Sequence, residues 1–208
     1  NTPMKLYYSP GACSLSPHIA LLEAGLPYDL VKVDLRAKKL ENGDDFLQVN
    51  PKGQVPALAL DTGEMVTEGP IIIQMIADKV ADKKLAPARD SNERYKLLEW
   101  LNYITTELHK NLGPMFSPVL ADDAKAFFKD RAMGKFKYVD SQLAGREYLM
   151  GSQFTVADGY LFTMIMWAQD RLGFDLSGLP NVTAYKARVA ARPKVQEALK
   201  KEGLLKAA

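Results

Sequence analysis

The chain has 208 residues, 47% of them hydrophobic and 25% charged, which is enough apolar material for one large core or two small ones and too much for a disordered chain. Its 27 basic and 25 acidic residues are interspersed and leave a net charge of +2, so no long-range field favours nucleic acid or an anionic membrane as a partner. The apolar run from Gly159 to Gln169 falls far short of the roughly 20 residues a membrane-spanning helix requires, and a single cysteine, Cys13, rules out an internal disulfide or a CxxC metal site. Asn1-Thr2-Pro3-Met4-Lys5 lacks an apolar leader and Met4 reads as the natural start behind a short remnant, so a reducing cytoplasm is the expected location.

Lys5 to Tyr8 begins a strand, which Ser9-Pro10-Gly11-Ala12-Cys13-Ser14 breaks before a helix opens. Ser14 or Ser16 can cap that helix, Pro17 suits its first turn, and Gly25 closes it. Tyr28 to Leu35 is rich in β-formers and reads as a second strand, parallel to the first because a helix connects them. Beyond an irregular polar region around Lys38 to Asp45, Val55 to Leu60 and Glu64 to Val66 flank Asp61-Thr62-Gly63 as a hairpin. A helix over Pro70 to Lys79 completes the expected order β-α-β-α-β-β-α in one small sheet. Charged Asp82-Lys83-Lys84 and Pro87 mark a linker, giving expected domains over 1–82 and 91–208 with 83–90 between them.

From Ser91 onward the period is helical. Leu97, Leu101, Ile104 and Leu108 share one face, and Phe128, Ala132, Phe136, Val139 and Leu143 share the face of the next helix. Thr155-Val156-Ala157-Asp158 has the form of a capping box ahead of the apolar run from Tyr160 to Trp167. Two more helices are expected, near Asn181 to Ala191 and Pro193 to Glu202, so the second domain is an all-α bundle.

Four places can carry chemistry. Cys13 lies directly before a helix, where free N–H groups and the positive dipole end favour a thiolate; a buried inert thiol is the alternative, and the neighbouring Ser14 hydroxyl can instead polarise a bound thiol. Gln54-Val55-Pro56 opens a strand with a bond that is either cis, turning the Val55 backbone toward an extended peptide, or the commoner trans. Glu68 and the Gly69 amide at a helix start either cap it or meet the ammonium and carboxylate of an α-amino acid. Asn102, Thr106 and His109, spaced i, i+4, i+7, form a polar stripe facing solvent or a ligand, where His109 can donate to a thiolate or sense pH near neutrality. His18 reads as structural.

Cys13-Ser14, Val55-Pro56, Glu68-Gly69 and Asn102 with Thr106-Glu107-Leu108-His109, in this order and spacing, resemble the cytosolic glutathione transferases, and within them the bacterial beta class. The likeness extends from Met4 to Lys206 and includes Lys5-Leu6-Tyr7-Tyr8-Ser9-Pro10-Gly11 and Asn50-Pro51-Lys52-Gly53. It implies an α/β thioredoxin-like N-terminal domain, an all-α C-terminal helical bundle, a homodimer, glutathione as co-substrate with no metal, and a small hydrophobic electrophile as second substrate. Cys13, Ser14 and His109 are the expected catalytic residues, Ser14, the helix end and His109 as donors that keep the glutathione sulfur ionised. By the same resemblance Cys13, Lys38, Val55, Pro56, Glu68, Gly69, Asn102, Thr106, Glu107, Leu108 and His109 hold glutathione, and Cys13 faces its sulfur. Two other readings use the same fold: a thiol transferase or reductive dehalogenase working through a Cys13 mixed disulfide, and a non-catalytic protein holding apolar ligands near Met115 and Phe116, residues that also suit simple core packing.

Overall fold

The computed structural model of the chain describes residues 3–205; Asn1, Thr2 and the stretch from Lys206 on, which the expected remnant, domains and family likeness touch, lie outside them. The chain forms two compact units: one takes the chain up to Leu85 together with the segment from Arg192 onward, the other is Ala86–Ala191.

The first unit is built on a five-stranded sheet of order β3-β2-β1-β4-β5. Strand β1 (Met4–Tyr8) runs parallel to β2 (Tyr28–Asp34) through helix α1 (Leu15–Ala24), the expected βαβ unit. Gly25 ends α1 at φ 68, a left-handed conformation in which its N–H reaches back to the Leu21 and Leu22 carbonyls. The short strands β4 (Ala57–Ala59) and β5 (Met65–Thr67) follow as an antiparallel pair about Asp61-Thr62-Gly63. Helix α2 (Gly69–Lys79) then buries Ile72, Ile73 and Ile76.

Between β2 and β4 the expected helix is absent. The structure has instead the two-residue strand β3 (Lys39–Leu40), antiparallel to β2, and one 3-10 turn over Phe46–Gln48. The reason is composition: the polar stretch carries one strong apolar anchor, Phe46, which is fully buried against Tyr7, and Asp45 caps the turn by accepting from the Leu47 N–H. One anchor suffices for a turn and not for an amphipathic helix.

The division at 91–208 also differs from the observed units. Helix α8 (Pro193–Lys201) belongs to the first unit, burying Val195, Ala198 and Leu199. Arg192, just ahead of it, makes two hydrogen bonds to the Glu23 carboxylate on α1, at 2.8 and 3.0 Å.

The second unit holds α3 (Asn92–Tyr103), a π-helical continuation over Ile104–His109, α4 (Lys110–Leu112), α5 (Asp122–Leu143), α6 (Val156–Met166), a second π segment over Trp167–Arg171, and α7 (Pro180–Ala190). Leu97, Leu101, Ile104 and Leu108 are buried as their period requires, as are Ala132, Phe136, Val139 and Leu143, while Phe128 is only half-buried. At the start of α6 the buried Asp158 carboxylate reaches back to the Thr155 N–H at 2.9 Å, the acid half of the expected box. No helix among the described residues is long and apolar enough to cross a membrane.

Candidate functional site

In the first unit the loop after β1 is braced from within. The fully buried Ser14 hydroxyl donates to the Ser9 carbonyl at 3.3 Å and accepts from the Ser9 N–H at 3.2 Å. This corrects the expectation that Ser14 offers its hydroxyl to a bound thiol: that hydroxyl already closes the loop. The free helix amides expected behind Cys13 are also largely spent, since the Leu15 N–H goes to the Ala12 carbonyl and the Ser16 N–H to the Cys13 carbonyl, while Pro17 has none. Cys13 is half-exposed, and its thiol donates to the Val55 carbonyl at 3.2 Å.

Val55-Pro56 is cis, as the functional reading of that dipeptide anticipated. The Val55 side chain is anchored in the core with Tyr7, Val33, Phe46 and Ala57. Among the described residues the Val55 N–H has no hydrogen-bond partner. One short stretch of backbone therefore offers a free donor beside an acceptor that Cys13 occupies, the pattern an added extended peptide uses.

Glu68 precedes α2 with φ 74 and ψ 111, a conformation a β-carbon disfavours, and its side chain makes no capping bond to the helix. Capping alone thus does not account for it. The carboxylate meets the Lys52 ammonium at 2.6 Å, and the same ammonium donates to the Thr67 hydroxyl at 2.8 Å. The Gly69 N–H has no partner among the described residues. A β-carbon at Gly69 would meet only Pro56 Cγ at 3.8 Å, an ordinary contact, so packing among the described residues does not demand a glycine there. Lys38, at φ 56, places its ammonium 2.6 Å from the Gly53 carbonyl.

Behind this loop lies a buried polar cluster that sequence reasoning caught only in part. His18 Nδ1 lies 2.6 Å from Glu202 Oε2 and its Nε2 2.8 Å from the Tyr28 hydroxyl, with both the His18 and Glu202 side chains fully buried. The other oxygen of Glu202 accepts from the Gly11 N–H at 3.0 Å, two residues ahead of Cys13. His18 is structural as expected, but the role of Glu202, 191 residues from Gly11, carried no local signal.

In the second unit the residues singled out from the sequence lie on α3 and its π continuation. Asn102 and Thr106 are exposed, with the Thr106 hydroxyl donating to the Asn102 carbonyl. Glu107 is half-buried and 3.6 Å from the Lys135 ammonium. Leu108, expected in the binding run, is fully buried on the core face, so its side chain cannot meet a ligand. His109 stands edge-on to Trp167 and Tyr160, with ring centroids 5.1 and 5.8 Å away, and its Nδ1 is 2.7 Å from the Tyr160 hydroxyl. Burial, with a smaller push from Lys110, lowers its pKa to about 4, which makes it neutral at pH 7 and overturns the expected pH sensing near neutrality. Phe116 packs edge-on to Trp167 and beneath the Arg171 guanidinium. Tyr160, Trp167 and Arg171 were not singled out from the sequence; the first two bound the apolar run from Tyr160 to Trp167, which by itself signals only a buried helix. No group of three or more His, Cys, Asp or Glu among the described residues could hold a metal ion.

A thiol loop, a cis-proline strand start and an acid at a helix start on this mixed sheet define a thioredoxin-like domain, joined in sequence to an all-helical unit. The model for the N-terminal domain of glutathione S-transferases matches residues 11–79, and that for their C-terminal domain matches residues 106–202. The chain is 49% identical to glutathione S-transferase GstA of Escherichia coli O157:H7 over 97% of its own length and 100% of the relative's. It is similar to the bacterial beta class glutathione S-transferase of Sphingomonas chungbukensis, with 49% identity, a TM-score of 0.93, and 97% and 100% of the two chains covered. A sphingomonad glutathione S-transferase solved in complex with glutathione is 47% identical with a TM-score of 0.92, over 97% of this chain and all of that one. The chain belongs to the glutathione S-transferase family.

Proposed function

We propose that this protein is a glutathione transferase that binds the tripeptide along the first unit and uses its sulfur, as thiolate, to attack small hydrophobic electrophiles. The observation that carries the reading is the Val55 backbone, a free N–H beside a carbonyl that the Cys13 thiol occupies at 3.2 Å. A peptide that adds as a strand takes both groups: its C=O accepts from the Val55 N–H and its N–H replaces the Cys13 thiol at the Val55 carbonyl. The released thiol can then donate to the glutathione sulfur. Glu68 meets the γ-glutamyl ammonium in place of Lys52, and the open Gly69 N–H meets the α-carboxylate, so both ends of that amino acid are held. Lys38 can exchange the Gly53 carbonyl for a carboxylate at the other end of the peptide. The helical unit contributes Asn102, Thr106, Glu107 and His109, and the reading extends to a cytoplasmic homodimer without a metal.

A free thiol with a pKa near ~8.5 is mostly protonated at neutral pH. Lowering it by about two units requires roughly 3 kcal/mol of preference for the thiolate; the released Cys13 thiol is one donor toward it, while the Ser14 hydroxyl and the first amides of α1 are already engaged. The thiolate then forms a C–S bond to the electrophilic carbon while the leaving group departs with the bonding pair. The half-exposed Cys13 supports a second route, in which its thiolate attacks a mixed disulfide of glutathione, forms a Cys13–glutathione disulfide and releases the other thiolate; a glutathione thiolate then attacks that disulfide, forming oxidised glutathione and releasing the Cys13 thiolate.

Calorimetric titration should show saturable glutathione binding, weakened about ten-fold in Glu68→Gln, the value of one charge-assisted hydrogen bond. Wild-type protein that takes up no glutathione ends this reading. Cys13→Ala, assayed separately for conjugation and mixed-disulfide reduction, decides between the routes: undiminished disulfide reduction removes the covalent one.

A further inference from the structure

Lys52 sits in a turn that is fixed from below. The buried Asn50 side chain accepts from the Lys52 N–H at 3.2 Å and donates to the Gln54 carbonyl at 2.8 Å, and the Gly53 N–H closes the turn on the Asn50 carbonyl at 2.8 Å. From this base the Lys52 ammonium reaches the end of β5, where it donates to the Thr67 hydroxyl at 2.8 Å and meets Glu68 Oε2 at 2.6 Å. Thr67 is paired in the sheet with Ala57, two residues beyond Val55, so the ion pair flanks the strand start whose backbone an added peptide uses. With side chains 49% and 61% exposed, Lys52 and Glu68 contribute little to stability by pairing, since water solvates either charge well, and their partners can be exchanged at little cost. An ammonium carries three donors, two of them used here, and among the described residues no acceptor takes the third.

We propose that Lys52 binds the α-carboxylate of the γ-glutamyl group, and so makes the site specific for a peptide whose first residue is linked through its side chain. The inference rests on the reading in which Glu68 meets the γ-glutamyl ammonium, and adds a residue to it. A free α-amino acid end carries one ammonium and one carboxylate, the same two charges as the Lys52 and Glu68 pair. When the ligand ammonium takes Glu68, Lys52 loses one anion and the ligand supplies another. Kept close by Thr67, the Lys52 ammonium turns to that carboxylate alongside the Gly69 N–H. One exposed ion pair is replaced by two, and no charge is left over. An α-linked peptide cannot complete the exchange, because its first α-carboxyl is spent in an amide and is neutral. Such a ligand takes Glu68 away from Lys52 and returns no anion at that place, which is a cost against the wrong partner as well as a missing contact. The competing role for Lys52 is a shield over Glu68 that the ligand must displace, and it has the opposite sign: removing a shield tightens binding.

Calorimetric titration with two ligands separates these roles: glutathione, and γ-aminobutyryl-cysteinylglycine, which differs from it only in lacking the α-carboxylate. Lys52→Met, which keeps the length of the side chain and removes its charge, should bind glutathione about ten-fold more weakly than wild type, the factor one charge-assisted hydrogen bond carries. The same variant should bind the analogue no more weakly than wild type does, because the group Lys52 would meet is missing from it. Lys52→Arg keeps the charge and should recover most of the affinity for glutathione. Glutathione bound as tightly by Lys52→Met as by wild type, or more tightly, overturns the proposal in favour of the shield. Equal losses for the two ligands overturn it too, since Lys52 would then act through the turn and not on the carboxylate. In both cases a wild type that binds glutathione and loses affinity in Glu68→Gln leaves the proposed function standing, whereas a wild type that takes up no glutathione ends both.

Discussion

His109 is neutral at pH 7 because of where it is buried, and this has a measurable cost. Its pKa of about 4, against 6.5 for an ordinary imidazole, means that between these values the unfolded chain binds a proton that the folded one refuses. Stability from this residue is therefore fully present above about pH 6.5 and falls as the pH drops toward 4, by up to about 3 kcal/mol. Urea unfolding of wild type and His109→Gln should show the wild type losing ground to the variant as the pH is lowered from 7 to 4.5; parallel curves would contradict the depressed pKa. Glu68 offers the complementary lesson. Its type and its place before α2 were legible in the sequence, but not its positive φ or its pairing with Lys52, since a backbone angle and a partner 16 residues away depend on how β5 enters α2. Ser14 was misread because a hydroxyl beside a reactive thiol and a hydroxyl that braces its own loop have the same sequence signature.

At the scale of elements, the periodic segments formed as their patterns required and the short aperiodic ones did not. Leu97 and Leu101 on α3 and Ile104 and Leu108 beyond it are all buried as their period requires, yet the helix widens into a π turn at Ile104 that no residue pattern announced. A helix of 3.6 period and one with a local π turn bury nearly the same residues, so hydrophobic spacing cannot separate them. The start of α6 was legible, because Thr155 and Asp158 lie three residues apart. What the motif did not reveal is how much else Asp158 does: its carboxylate accepts from the Leu149 N–H, the Thr155 N–H and the Tyr185 hydroxyl, all buried. Burial and the adjacent Asp158 charge raise the Tyr185 pKa well above 10, consistent with a phenol that stays a donor. Asp158→Ala leaves the buried Leu149 and Thr155 N–H groups unpaired and the Tyr185 hydroxyl with only the backbone carbonyl of residue 158, and should destabilise the protein by about 3 kcal/mol, with Asp158→Asn costing less; a urea midpoint shifted no further by Ala than by Asn would refute this account.

Over the whole molecule, chain order and unit membership part company. The segment from Arg192 onward returns to the first unit, held to α1 by Arg192 on Glu23 and by Glu202 on His18. Glu202→Ala removes the buried carboxylate that meets both His18 Nδ1 and the Gly11 N–H, and should cost about 2–3 kcal/mol, whereas Glu202→Gln keeps an acceptor and should cost clearly less. Equal losses in chemical denaturation would show that packing of the segment, and not the carboxylate, sets its contribution. The sequence by itself determined the βαβ unit, the hairpin, the main helices of both units, the positions of Cys13 and Glu68, and the family, because local patterns and spacing encode these. Tertiary structure alone decided that Ser14 turns inward, that Leu108 belongs to the core, that Glu202 supports the loop ahead of Cys13, and which side chains His109 faces. Apart from Ser14, whose partner Ser9 is five residues away, each of those depends on groups distant in sequence competing for the same buried hydrogen bond or the same space, and that competition is settled only when the chain packs.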